Sequence, residues 1–360
     1  TMRGRGFLAG LLALTVIGAA AAYHWRGPLS VALVQKIMAK RFAEQPLADL
    51  PDGLHAGICG SGSPFPDARR GSPCTLVIAG QRLFVFDSGS SASTNIARMG
   101  FDLGSIQAVF LTHFHSDHIG GLGDVMLNRW VAGANTSPLP VLGPSGVKAV
   151  VDGFMQAYEQ DRLYRIAHHG EKIIPPTGFG GTPLTFATPQ PGTSVLLIDE
   201  PDLSIAAFSV DHSPIEPALG YRVRYKDRTL VISGDTKQSP EVQREAKGVD
   251  LLIHEALSSE LLQPLSEVAA AAGRGNLAQI FVDIQNYHTS PEQAAQTAQT
   301  AGAKYLLLTH IVPPLPLPGL QQAFLGDAET IFTGPLRVGQ DGDFVSMPAG
   351  TDEVTLSSRL

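Results

Sequence analysis

Short apolar runs of strand length punctuate the chain from about residue 54 onward. Residues 75–79 (Thr-Leu-Val-Ile-Ala), 82–86 (Arg-Leu-Phe-Val-Phe) and 106–111 (Ile-Gln-Ala-Val-Phe-Leu) are followed by similar runs at 205–210, 219–225, 229–232, 250–253 and 304–308. Runs of this length, rich in β-branched and aromatic side chains and bounded by turn residues, predict strands. Between them lie stretches with helical spacing, 146–164, 239–247 and 290–301. The last opens Ser290-Pro291-Glu292-Gln293, in which Ser290 is a good N-cap, Pro291 suits the first helical position and Gln293 completes a capping box. This alternation runs on without a break in composition, which predicts a single α/β domain over residues 54–360, with layered sheets covered by helices.

The first 53 residues read differently. Arg3 and Arg5 precede an apolar run from Phe7 to Tyr23 that ends in four alanines, Ala19 to Ala22. A basic start, an apolar stretch and small residues before a cleavage point make a secretory signal. The run also approaches the lower limit for a membrane-spanning helix, about 17–25 residues, so an uncleaved anchor with membrane contact fits as well. Either reading of residues 1–23 places the remainder outside the cytoplasm, in the periplasm or tethered to the inner membrane. Residues 24–53 read as a linker with a short helix over Val31–Phe42, ended by Pro46 and Pro51. Two cysteines, Cys59 and Cys74, flank the turn-rich segment 60–66; the spacing allows either a disulfide or two buried thiols.

Composition narrows the class. The 360 residues are 44% hydrophobic and 16% charged, which suits a large buried core. A formal charge of −7 with no Lys/Arg run gives no strong signal for nucleic-acid binding.

The polar residues that carry chemistry stand where apolar runs end. Ala108–Thr112 leads into His113-Phe114-His115-Ser116-Asp117-His118, residues 230–234 lead to Asp235, 251–253 to His254-Glu255, and 306–309 to His310. A rigid strand that delivers a side chain at its end is an effective way to aim several ligands at one point. Alternate positions His113 and His115 project the same way. The turn into Gly120-Gly121 lets Asp117 and His118 face a second point nearby. Imidazole and carboxylate are ligands that zinc takes near neutral pH.

The segment His-x-His-x-Asp-His-x-Gly-Gly resembles the signature of the metallo-β-lactamase superfamily. The resemblance spans roughly residues 54–315 and implies the four-layer αβ/βα sandwich, an α/β fold. It further implies two zinc ions, one held by His113, His115 and His212, the other by Asp117, His118 and His310, with Asp235 bridging. Asp87, after the run 82–86, resembles the aspartate that supports these ligands from behind. Bound zinc lowers the pKa of water to about 7, which supplies hydroxide for hydrolysis. Asp117 is then placed to orient that water or take its proton.

Three further segments resemble ribonuclease Z and the related arylsulfatase group. The Gly-rich turn from Gly60 to Ser72 contains Arg69 and Arg70, which are candidates to hold a phosphate or sulfate oxyanion, Arg70 first. His254-Glu255-Ala256-Leu257 is similar to the His-Glu-Ala-Thr motif of ribonuclease Z, with Leu for Thr. His288-Thr289-Ser290 is similar to its His-Ser-Thr segment with the hydroxyl residues exchanged. By that resemblance Glu255 orients His288, which donates a proton to the leaving oxygen, and the protein forms a homodimer. The substrate expected is a small or oligonucleotide phosphodiester or a sulfate ester, with Tyr158, Tyr164, His168, His169 and Tyr287 as candidate pocket residues. Alternatives are tRNA 3′-processing proper and a β-lactamase-like hydrolase. Residues 152–192, where a basic tRNA-gripping arm belongs, carry little positive charge, and an exported binding protein without activity requires a degenerate site.

Overall fold

The computed structural model describes the backbone of residues 2–360 and every side chain from residue 22 onward. It divides into two compact units, Thr1–Asp49 and Leu50–Leu360. The first is one helix, Met2–Ala43, so residues 24–30 are helical and the linker expected there is not present. Pro28 removes one backbone donor and crowds the preceding turn. Within a long helix each further residue still adds a bond without a new nucleation cost, and the helix continues through it. The side chains behind the expected leader or anchor at 1–23 lie largely outside the described residues. Among the described residues no helix is long and apolar enough to cross a membrane.

The second unit holds fifteen strands: β1 Gly53–Gly60, β2 Cys74–Ala79, β3 Arg82–Phe86, β4 Ile106–Phe110, β5 Leu139–Gly143, β6 Gly181–Thr185, β7 Val195–Asp199, β8 Leu203–Ser209, β9 Leu219–Tyr225, β10 Arg228–Ile232, β11 Leu251–Leu257, β12 Leu306–Val312, β13 Leu336–Val338, β14 Asp343–Pro348 and β15 Thr355–Ser358. They form an eight-stranded sheet in the order β15-β14-β1-β2-β3-β4-β5-β6 and a seven-stranded sheet in the order β13-β12-β11-β10-β9-β8-β7. The strands from β3 to β6 run parallel, as do those from β10 to β13. Parallel strands need crossover helices, which cover their outer faces; that is why β4, β11 and β12 read as near-continuous apolar runs rather than alternating ones.

The core lies between the sheets. Leu54, Ala56 and Ile58 of β1, Phe84 and Phe86 of β3 and Phe110 of β4 pack against Ile205, Tyr221, Leu230 and Ile253 of the other sheet. Outer helices complete the four layers. The helix Pro291–Ala301 carries the expected capping box at Ser290 and Gln293 and buries Ala294, Ala295 and Ala298 in a cluster with Leu252, Leu306 and Leu308. Helix Val147–His169 packs back on the body through Met155, Tyr158 and Ile166, against Leu127, Trp130 and Phe179. Sheets on two layers with helices outside both are the αβ/βα sandwich that the sequence implied.

The turn after β1 is tied down covalently and by one carboxylate. Cys59 and Cys74 are joined by a disulfide with their Cα atoms 4.9 Å apart. Asp341, just before β14, accepts hydrogen bonds from Ser61 N, Ser61 Oγ, Gly71 N and Asn95 Nδ2. The disulfide closes a sequence separation of 15 residues, and chain-entropy arguments put the stabilisation from a loop of that size at about 3 kcal/mol. Replacing both cysteines by alanine is therefore expected to lower unfolding stability by about that amount in urea denaturation. A loss within error of zero would mean that the hydrogen bonds to Asp341 alone hold this turn.

Candidate metal centre and active site

Both sheets end their parallel strands at the same edge of the sandwich, and the polar loops meet there. β3 ends at Asp87, whose backbone adopts φ 57°, and β4 runs directly into Thr112 and the histidine-rich loop. Residues Ser116–Ile119 form a single helical turn. Ser88 N donates to His118 O and Gly121 N to Ser88 O, which stitches this loop to the end of β3. A side chain at Gly121 would place its Cβ 2.1 Å from Gly89 O, so this close approach requires glycine. His212 follows β8 and Asp235 follows β10. His310 lies within β12 at an irregularity in the pairing with β11, where Glu255 pairs Thr309 and Ala256 pairs Ile311; its φ of 48° turns the side chain toward the cluster.

Seven of the side chains singled out in the sequence come together. His113, His115, His212 and Asp235 form one group able to hold a metal ion, and Asp117, His118 and His310 a second. Asp235 Oδ2 sits between them, 3.1 Å from His310 Nε2, 3.2 Å from His118 Nε2 and 3.9 Å from both His113 Nε2 and His212 Nε2. Asp117 Oδ2 lies 3.4 Å from His310 Nε2 and 3.6 Å from His118 Nε2.

Hydrogen bonds behind the cluster fix which ring nitrogens face it. Asp87 Oδ2 can only accept, so His118 Nδ1–H donates to it at 2.8 Å and Nε2 is the nitrogen turned to the cluster. Thr112 Oγ1 donates to the same carboxylate and lies 3.0 Å from His113 Nδ1, from which it accepts; His113 Nε2 is then the unprotonated nitrogen and lies 3.0 Å from His115 Nδ1. The carbonyl of Tyr287 accepts from His212 Nδ1–H at 2.9 Å, which leaves Nε2. His118 Nε2, His212 Nε2 and Asp117 Oδ2 are buried without a hydrogen-bond partner. Buried polar atoms are rarely left so. Their convergence on two points is what bound cations would satisfy, so these residues fit a metal centre.

Electrostatics agree. Burial pushes His113 well below its ordinary pKa and His212 down to about 4, so both are neutral and ready to ligate. Burial works in the same direction on His118 and His310, but neighbouring carboxylates outweigh it. Asp235 and Asp87 hold His118 well above its usual range, and Asp235 and Asp117 raise His310 to about 9. In the metal-free protein these two imidazoles carry protons that neutralise the carboxylates.

Beside this cluster, Glu255 Oε1 accepts from His288 Nδ1–H at 2.9 Å, Thr236 N at 3.0 Å and Thr289 N at 3.2 Å. The expected pair is formed, and His288 with Asp235 and His310 makes a third group of converging ligand atoms. Burial works against charge on both partners: it pushes Glu255 up, helped by Asp235, and His288 down to about 4. A cavity of about 290 Å³ opens onto His115, Asp117, Asp235, His288 and His310.

A model of the β-lactamase superfamily domain matches residues 84–311. Ribonuclease Z of Mycolicibacterium gilvum is 36% identical over 290 residues, 80% of this chain and 94% of that protein. Ribonuclease Z of Mycobacterium bovis is 34% identical, over 80% of this chain and 96% of its own length. The chain belongs to the metallo-β-lactamase superfamily, in its ribonuclease Z-like branch. It is accordingly a metal-dependent hydrolase. Two solved structures share the fold: the metallo-β-lactamase fold protein YhfI from Bacillus subtilis (21% identity, TM-score 0.58, 81% of this chain and 99% of that one) and the short form of human tRNase Z (21% identity, TM-score 0.58, 82% and 99%).

Within this ribonuclease Z-like frame, some expected residues stand elsewhere. Arg70 is buried and donates from Nε to Gly339 O at 3.0 Å, with Asp67 3.5 Å from its guanidinium. Arg69 donates to Leu315 O. Both line a separate cavity with Asn95, Arg98 and Asp341, which shares no residue with the one at the metal cluster. Their backbone partners explain the placement: Pro64 and Phe65 of the Gly-rich turn reach the cavity at the ligands, while Arg69 and Arg70 are drawn onto Leu315 O and Gly339 O. Of the candidate pocket residues only Tyr287 lines the catalytic cavity; Tyr164 is 64% exposed, and Tyr158 packs against Phe179 and its neighbours. Sequence reasoning missed the other walls, Pro64, Phe65, Ile280, Ile284 and Val312. They are ordinary apolar residues from separate segments, and nothing in the sequence distinguishes them from core.

Metal uptake must displace the protons on His118 and His310. Each group loses its proton only as pH rises toward its raised pKa, about 9 for His310. The apparent affinity of the metal-free protein for zinc is therefore expected to strengthen as pH rises from 6 to 9, with proton release on binding. Calorimetry in two buffers of different ionisation enthalpy measures this; an affinity independent of pH over that range would refute the protonation pattern.

Proposed function

We propose that the protein cleaves phosphodiesters using two metal ions, most simply zinc, held by His113, His115 and His212 on one side and Asp117, His118 and His310 on the other, with Asp235 shared. The observation that carries the reading is the central position of Asp235 Oδ2, within 3.9 Å of four imidazole Nε2 atoms. When bound, the metals supply Lewis acidity that makes water nucleophilic near neutral pH and stabilises charge on the phosphoryl group. The names and coverage of the curated relatives support the phosphodiester as the bond attacked.

The chain's own residues supply the rest. Asp117 stands at the cavity wall, where its carboxylate orients the attacking water. Glu255 Oε1 holds the Nδ1–H of His288, so a proton for the leaving oxygen must sit on Nε2, the nitrogen turned toward Asp235 and His310. Two backbone amides, Thr236 N and Thr289 N, hold Glu255 Oε1 in place for that task. An alkoxide leaves poorly without such a proton, whereas a nitrophenolate does not need one.

A second reading, tRNA 3′-processing, is favoured by the likeness to the ribonucleases Z. A pre-tRNA in the same assay separates it from action on smaller diesters, and p-nitrophenyl sulfate tests sulfate esters. Export of the catalytic body is supported by the apolar run after Arg3 and Arg5 and by the buried disulfide; recovery solely in the cytoplasmic fraction of cells would overturn it.

Metal-loaded protein is expected to hydrolyse bis(p-nitrophenyl) phosphate. His288→Ala should lower turnover about 100-fold or more for diesters with alkyl leaving groups and under about tenfold for nitrophenyl leaving groups. Equal losses on both would count against His288 as the proton donor.

A further inference from the structure

The catalytic cavity has two kinds of wall. One is the ligand cluster with His288. The other is apolar, built from Pro64 and Phe65 of the turn after β1, Ile280 of the helix Gly275–Asp283, Ile284 just after that helix, Tyr287, and Val312 at the end of β12. The apolar wall continues into a hydrophobic cluster of Leu257, Leu262, Phe281 and Val312, with the Phe65 and Phe281 rings 5.4 Å apart. No Lys or Arg lines this cavity. Arg69 and Arg70, the cations nearest in sequence to Phe65, are turned away onto Leu315 O and Gly339 O.

The helix that supplies Ile280, and the one packed beside it, are no more suited to a polyanion. The helices Ser259–Ala271 and Gly275–Asp283 expose Val268 (66%), Ile280 (48%) and Val282 (48%). Between Ser259 and Ser290 the sole Lys or Arg is Arg274, against Glu260, Glu267 and Asp283. An RNA strand is held chiefly through phosphate contacts with cations; the adjoining cavity that shares His288 carries one, Lys237, and that one is paired with Asp211 at 3.6 Å. A cavity of about 290 Å³ is also at the lower end for small-molecule sites.

We propose that this site takes small phosphodiesters bearing an apolar group, alkyl or aryl, beside the bond that is cleaved, in preference to an RNA strand. The inference rests on the phosphodiesterase reading above and names its substrate class. The phosphoryl group lies at the ligand cluster, and the apolar substituent packs on Phe65, Ile280, Ile284 and Val312.

The test uses the full chain loaded with zinc and a series of p-nitrophenyl phosphodiesters whose second ester group is methyl, propyl, hexyl or phenyl. The leaving group is constant, so differences report binding of the second group. Burial of each methylene predicts a gain in kcat/KM of about two- to fourfold until the cavity is filled. Ile280→Asp and Ile284→Asp should flatten that gain, and Ile280→Val should keep it; metal content and near-UV circular dichroism verify that each variant is folded and loaded. A flat series on the unaltered protein, with the methyl diester still turned over, overturns the substrate class and leaves the phosphodiesterase reading standing. An oligoribonucleotide cleaved with a higher kcat/KM than the hexyl diester likewise overturns it. No turnover of any diester by folded, zinc-loaded protein overturns both.

Discussion

A buried carboxylate oxygen within reach of four imidazole nitrogens governs the rest of this structure. Asp235 Oδ2 has His310 and His118 Nε2 at 3.1 and 3.2 Å and His113 and His212 Nε2 at 3.9 Å, and the aspartate itself is buried at the floor of the cavity. Such a group is costly to bury unless paired. Without metal, the balance is kept by protons on His118 and His310, which the neighbouring carboxylates hold there. With metal, cations take that place. The cluster is therefore a set of groups that always demands positive charge at its centre, and the two ways of supplying it compete.

Everything behind the cluster decides where the lone pairs point. One aspartate, Asp87, collects His118 Nδ1–H, Thr112 N and Thr112 Oγ1–H; through Thr112 it also sets the tautomer of His113. On the opposite sheet the Tyr287 carbonyl does the same for His212. Support of this kind raises ligand basicity and fixes ring orientation. The two sheets thus contribute separately oriented halves, and only their packing through Phe86, Phe110 and Tyr221 brings the halves to metal-binding distance. Tyr221 links the two layers directly, since its hydroxyl donates to Leu111 O at the root of the histidine loop.

Much of this was legible in the sequence, and the reason is local. Six residues from His113 to His118 carry four ligands, so spacing alone announces them. Asp235 and His310 stand out because each ends an apolar run, whereas His212 is singled out only by the superfamily pattern. The central strands were equally readable, because helices cover their outer faces and make them continuously apolar. Strands β5, β6, β7 and β13 to β15 were not, since they are short edge or near-edge elements with mixed burial whose pairing is set by tertiary contact. The contacts of Arg69 and Arg70 were hidden for a related reason: a Gly-rich turn with arginines suggests an oxyanion cradle, but the backbone acceptors at Leu315 and Gly339 are 246 and 269 positions away in the sequence, and no local pattern shows them. The helix across Pro28 was hidden by a Gly27-Pro28 pair that ordinarily marks a turn.

The apolar wall and the Glu255–His288 pair belong to one argument. A low local dielectric strengthens the hydrogen bond that holds His288 to Glu255, and the same burial holds the imidazole down to about 4, so a proton carried on Nε2 is readily given up. Ile284, Tyr287 and Val312 line the cavity at His288 and supply that dry surround, while Thr236 N and Thr289 N anchor the far end of the pair. The same surround strips the cavity of the cations that a long nucleic acid would need. Proton delivery and substrate choice are then two consequences of one feature: replacing the wall with basic residues would improve grip on a polyanion, and it would also admit water and like charge beside the imidazole that has to become positive in order to donate.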